Sequence, residues 1–344
     1  MTRNRAYNAL ALGLIVVAAG AIVVRNLNAR AHGELTLLNV SYDPTRELYA
    51  KLNPQFSAEY EKRTGKRVQV NQAHGGSSRQ ARAVIAGDLT PDVVTLGLFS
   101  DVQALSKRGL VGSDWINRLP NHSQPYHSTI VFVVRAGNPH AIHDWPDLIK
   151  DGVEVITPDP RSSGNGKLAV LGAWGSILAR GGSESEAKTY LKTLFEHAPF
   201  LESGARGAAT AFAIEKLGDV HLTWENEALR ETAEAKGALE IVYPPLSILA
   251  EPYVAWVDSN VAKHQTEAPA RAYLEFLFSD PAQEVIAQSG YRPFKAETLA
   301  RHADRFPRLR LFPVTDIAKD WEDAQQKFFA DNGIIDTVYK PKPR

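Results

Sequence analysis

Apolar strand-like runs in this sequence keep ending in short polar turns that open helix-like runs. Leu35 to Val40 is the first such run, and Ser41-Tyr42-Asp43-Pro44-Thr45 breaks it. Residues 46–64 then carry Leu48, Leu52, Phe56 and Tyr60 four apart on one helical face, up to Gly65. Val68 to Gln72 leads through His74-Gly75-Gly76-Ser77-Ser78 into a helix over 79–86, and 91–96 precedes another over 102–108. Strand and helix in alternation predict an α/β architecture with a largely parallel sheet, whose ligands sit beyond the carboxyl ends of the strands.

The same grammar returns in the second half. Val153 to Thr157 feeds Pro158-Asp159-Pro160-Arg161-Ser162-Ser163-Gly164-Asn165-Gly166-Lys167, and a helix-like run follows to Ala179. Two prolines stop the strand, and the Ser-Ser-Gly-Asn-Gly turn opens the helix with a serine cap. Such a turn aims several unpaired N–H groups into one small volume at the positive end of a helix, which suits an anion; an ordinary helix cap has the same residues. Ser203-Gly204-Ala205-Arg206-Gly207 is a further turn of this kind, opening a helix over 208–216, and Val220 to Trp224 is a strand entering a helix over 226–235.

A strand-like run from Leu249 to Asp258 follows without a partner nearby in sequence, ahead of helices over 268–278 and 281–288. It predicts a chain that crosses back to its first lobe: one lobe of 34–122 with 249–340, the other of 123–248, and a cleft between them able to close on a ligand.

Composition bounds the chemistry. Lys plus Arg equals Asp plus Glu at 39 each among 344 residues, so there is no basic excess for nucleic acid. With no cysteine there is no disulfide, no thiolate metal site and no cysteine nucleophile. Asp92, Asp101, Glu225 and Glu227 are not grouped with a histidine or nucleophile, His221 reads as a packing or surface residue, and neither a metal-ligand spacing nor a nucleotide fingerprint occurs. An enzyme, a metal and a cofactor are therefore not expected. At the N-terminus, Arg3 and Arg5 precede an apolar run from Ala9 to Val24, and Ala29-Arg30-Ala31 supplies a cleavage site after Ala31. Export with removal of residues 1–31 is expected; a retained anchor is the competing reading.

The chain resembles the periplasmic sulfate-binding proteins of ATP-driven importers, whose relatives bind thiosulfate. The likeness is dense in Leu37 to Leu48, His74-Gly75-Gly76-Ser77, Asp92 to Leu96, Ser203 to Gly207 and Trp224 to Ala228. It implies a type 2 periplasmic binding protein fold of two lobes, each a mostly parallel sheet flanked by helices, acting as a monomer with inner-membrane permease subunits. It implies a sulfate ligand, with thiosulfate as an alternative or shared one, held by uncharged donors. These would be the backbone N–H groups of Asp43, Ser77, Gly164, Asn165 and Ala205, the Ser163 hydroxyl and the Trp224 indole N–H. His74 and Arg206 would fix the loops and soften the charge from behind. Asn165 departs from the family's usual glycine, and its side chain is expected to narrow the pocket or add a contact; at Lys167 a bulky residue is common. The Asp43 carboxylate is expected to turn away and cap its own helix, because an acceptor in the site would repel sulfate and suit protonated phosphate. Two other classes compete: an exported enzyme acting on sulfate or phosphate esters, and an anchored interaction protein.

Overall fold

The computed structural model describes residues 35–339. The leader 1–31, its cleavage point after Ala31 and the tail 341–344 lie outside them.

The first lobe is built as the strand-turn-helix grammar requires. β1 (Leu35–Tyr42) runs into a short turn at Asp43–Thr45 and then α1 (Arg46–Thr64), whose inner face buries Leu48, Leu52, Phe56 and Tyr60 together with Tyr49. Gly65, at φ 72°, ends the helix in the left-handed conformation that glycine adopts freely. β2 (Val68–Gly75), α2 (Ser77–Ala86), β3 (Val93–Leu96) and α3 (Phe99–Lys107) follow. β1 lies between β2 and β3, parallel to both.

The second lobe centres on β4 (Tyr126–Arg135), followed by β5 (Val155–Pro158), α4 (Gly164–Leu178), α5 (Glu184–Glu196), β6 (Leu201–Glu202) and the five-residue α6 (Ala205–Ala209). Then come β7 (Val220–Trp224), α7 (Glu225–Glu234), β8 (Leu239–Val242) and β9 (Leu246–Ala250). β5 is parallel to β6 and β7, but β4 is antiparallel to β7, β8 and β9. This sheet is thus mixed where a mostly parallel one was expected.

The expected strand over 249–258 is two strands. Leu249 and Ala250 pair with Thr129 and Ser128 in the second sheet, and only β10 (Tyr253–Trp256) crosses to pair antiparallel with β3. The chain crosses once more. β11 (Arg292–Pro293) pairs with the foot of β4, and β12 (Arg310–Phe312) pairs with β9. From there Phe312, Val314, Ile317, Trp321, Phe328, Ile335 and Val338 bury against α4, α5 and β5 in the second lobe's core. The stretch after 310 therefore packs with the second lobe, although the sequence reading assigned it to the first. No helix among the described residues is long and apolar enough to cross a membrane.

Candidate functional site

In the second lobe the site starts at the mouth of α4. Ser163 is its N-cap, accepting a long bond of 3.5 Å from the Gly166 N–H, while its own N–H is given to the Asp159 carbonyl at 2.9 Å. The Ser163 hydroxyl proton and the first-turn N–H groups of Gly164 and Asn165 find no acceptor among the described residues. The loop folds back so tightly on its strand that a Cβ at Gly166 would stand 2.3 Å from the Pro158 carbonyl oxygen. Asn165 does not narrow the pocket through a free side chain. Its Nδ2 donates to the Leu222 carbonyl at 2.9 Å, which commits the amide to β7 and leaves Oδ1 buried without a partner.

The neighbouring turn is tied to this one by the Ser162 hydroxyl, which donates to the Ser203 carbonyl at 2.8 Å. Ala205, buried behind the Gly204 cap, keeps its N–H without an acceptor among the described residues. Trp224 ends β7 fully buried; its ring lies 5.2 Å from that of Tyr42, and its indole N–H also has no acceptor among the described residues.

From the first lobe come Asp43, directly after β1, and Ser77, two residues beyond the end of β2. The N–H of each is without an acceptor among the described residues. The Ser77 hydroxyl is already used, donating to Asp101 Oδ2 at 2.6 Å and accepting from the Gly97 N–H at 2.9 Å, so only its main chain is left to offer. The Asp43 carboxylate makes no helix cap, contrary to expectation. It pairs with Arg46 at 3.0 Å, one turn along, and its other oxygen lies 2.4 Å from where a Cβ on Gly204 would stand.

Glycines mark how closely the lobes approach. A Cβ at Gly164 would be 3.2 Å from the Ser77 Cβ. One at Gly97 would be 3.4 Å from both the Trp224 and the Tyr42 rings, and one at Gly76 only 2.4 Å from the Ser162 carbonyl oxygen. Asp43 thus lies against the Gly204 cap of α6, Ser77 against Gly164, and Trp224 against Gly97, whose N–H meets the Ser77 hydroxyl, so candidate donors of the two lobes come close together.

The two supporting residues differ. Burial, reinforced by the Arg46 charge, pushes His74 down to about 4, so the ring is neutral at physiological pH and softens no charge. Arg206 does bridge: its guanidinium meets Glu47 of α1 at 3.0 and 2.9 Å and Glu227 at 3.5 Å. Reasoning from sequence missed Gly76, whose lack of a side chain admits the opposite lobe, and the role of Asp101, buried under the hydroxyls of Ser77 and Ser78. It also missed the setting of Lys167, which donates to Gln325 at 2.8 Å and lies 3.9 Å from Asp101. Two adjacent serines followed 23 residues later by an aspartate gave no local signal.

The acids are dispersed. Asp92 accepts from the Leu38 N–H at 2.7 Å, Glu225 pairs with Arg292 at 2.7 Å, and Glu227 pairs with Arg230 at 3.0 Å. His221 is buried and meets Glu231 at 3.0 Å. No group of three or more metal-ligating side chains occurs among the described residues. What the cleft offers is hydrogen-bond donation by neutral groups, which can hold a desolvated anion without a counter-cation.

Residues 40–292 match the family described as bacterial extracellular solute-binding protein. The chain is 48% identical over 309 residues to the sulfate-binding protein of Salmonella typhimurium, covering 89% of this chain and 94% of that one. It is 45% identical over 317 residues to the thiosulfate-binding protein of Pseudomonas aeruginosa, covering 92% and 95%. Among solved structures, the sulfate-binding protein SubI from Mycobacterium tuberculosis superposes with a TM-score of 0.78 at 32% identity, covering 86% of this chain and 99% of that one. This chain belongs to the bacterial extracellular solute-binding protein family and has its two-lobed type 2 fold.

Proposed function

We propose that this protein binds sulfate in the periplasm and delivers it, as a monomer, to the permease subunits of an ATP-driven inner-membrane importer. The observation that carries the reading is a set of neighbouring donors from both lobes that have no acceptor among the described residues: the Ser163 hydroxyl, the N–H groups of Asp43, Ser77, Gly164, Asn165 and Ala205, and the Trp224 indole. Fully ionised sulfate is satisfied by donors alone. Phosphate near neutral pH carries a proton that needs an acceptor; of the Asp43 carboxylate, Oδ1 is paired with Arg46 and Oδ2 lies against Gly204, so the phosphate arm of the titration below is the decisive one. Binding without turnover is part of the same proposal, supported by the absence of a base beside the Ser163 hydroxyl among the described residues. Export with cleavage after Ala31 fits such a role. In this reading one lobe is 35–122 with 253–288, and the other is 123–250 with β11 and the stretch after 310.

Thiosulfate is the second reading, favoured by the similarity to the Pseudomonas thiosulfate-binding protein. Calorimetric titration of the desalted protein with sulfate, thiosulfate, phosphate and molybdate at one pH tests both. Sulfate is expected to bind tightly and phosphate weakly; tight phosphate with weak sulfate overturns the reading, and tighter thiosulfate than sulfate replaces the ligand.

A further inference from the structure

The first turn of α2 divides its donors. Ser77, at its first position, keeps its N–H for the cleft, whereas the Arg79 N–H crosses the cleft to the Ser162 carbonyl at 3.2 Å. One turn further along the helix, Arg82 Nη1 reaches the preceding carbonyl, Arg161, at 2.9 Å. Two successive carbonyls of the second lobe's turn are thus received by one helix of the first. The very next residue is Ser163, whose hydroxyl and following N–H groups are offered to the anion. Burial holds the Lys167 ammonium at the foot of α4 below the usual lysine range, Asp101 acting against this and Arg82 adding to it.

We infer that Arg82 is a positioning residue for anion retention: with the Arg79 N–H it holds the 161–163 turn against α2 when the lobes close, and so slows ligand release. The inference rests on the anion-binding reading above and adds a residue that does not touch the ligand. The bond forms only when the lobes meet, so its loss acts on the closed state and leaves the separated lobes unchanged.

Stopped-flow fluorescence of the full-length protein with sulfate, following tryptophan emission, measures association and dissociation separately in wild type, Arg82→Ala and Arg82→Lys. Arg82→Ala is expected to raise the dissociation rate about three- to tenfold, the range for one lost hydrogen bond. Its association rate at high salt and its ligand-free melting temperature are expected to stay at wild-type values, and Arg82→Lys, which keeps a donor on a long stem, is expected to recover part of the loss. An unchanged dissociation rate in Arg82→Ala overturns the inference. So does a change confined to association that salt abolishes, which makes Arg82 a steering charge only. Absence of sulfate binding in wild type defeats the function proposed above instead, and is distinguishable because no rate is then measurable.

Discussion

Two kinds of contact cross the cleft, and they are built from opposite materials. The interior is lined with neutral donors, while the rim carries charges: Glu47 from the first lobe, and Arg206, Glu227 and Arg230 from the second. Only Glu227 among these is fully buried, and burial pushes its carboxyl up against the pull of its two arginines. An ion inside the cleft stripped of water would be strongly held by a fixed cation, but an empty site would then keep an unpaired buried charge. Dipoles avoid that penalty when the lobes part. The difference teaches that the pair joining the lobes, Glu47 with Arg206, stays partly exposed, whereas the candidate donors inside are neutral groups whose neighbouring charges, such as Asp101 with Lys167, are buried opposite one another.

The comparison is broken most severely at Gly76. Its φ of −57° is open to any residue, so only space keeps it glycine, with the Ser162 carbonyl 2.4 Å from a Cβ. Gly76→Val is expected to weaken sulfate binding by about 3 kcal/mol or more through overpacking of the closed state, with the lobes remaining apart by solution scattering in saturating ligand. Removing single interior donors comes next. Ser163→Ala and Trp224→Phe should each cost about 1–3 kcal/mol by calorimetry, as each deletes a donor to a buried charge. A Ser163→Ala protein that binds like wild type removes that hydroxyl from the grip.

At the rim the expected effect is smaller. Glu47→Gln breaks a half-exposed pair with Arg206 and should cost about 0–1 kcal/mol, fading as salt is raised; a loss as large as that of Ser163→Ala would mean that charge, and not neutral donation, governs closure. The smallest effect on affinity is expected from pH, because His74 is already neutral. Stability behaves otherwise. Burial holds both His74 and His127 down at about 4 when folded, against 6.5 in an open chain. The unfolded state therefore takes up protons first, and stability present above about 6.5 is lost as pH falls toward about 4. Urea midpoints measured across that window should fall with pH, and His74→Gln should flatten the slope.

Much of this was legible in the sequence, and the parts that were not share a cause. The helix over 46–64 ends where its apolar spacing and Gly65 place it, and Ser163 caps α4 as a serine before Gly-Asn-Gly should. These are local effects, decided within a turn or two. β9 and β10 were fused because both are apolar and only two residues part them; which sheet each joins depends on partners more than 100 positions away in chain order. The C-terminal stretch was misassigned for the same reason, its apolar residues being decided by the core they meet. At the site, the residues that offer donors could be named, whereas the Asn165 bond to Leu222 and the pairing of Asp43 with Arg46 depend on side-chain directions that no spacing encodes.

The late return of the chain to the second lobe has a practical consequence. Leu35 begins on the first lobe's sheet, while Tyr339 ends against Phe195 on the second, their rings 5.1 Å apart. Leu35 and Tyr339 thus sit on different lobes. A pair of fluorophores fixed at these two positions would convert anion occupancy into a change of energy transfer, with nothing inserted near the cleft itself.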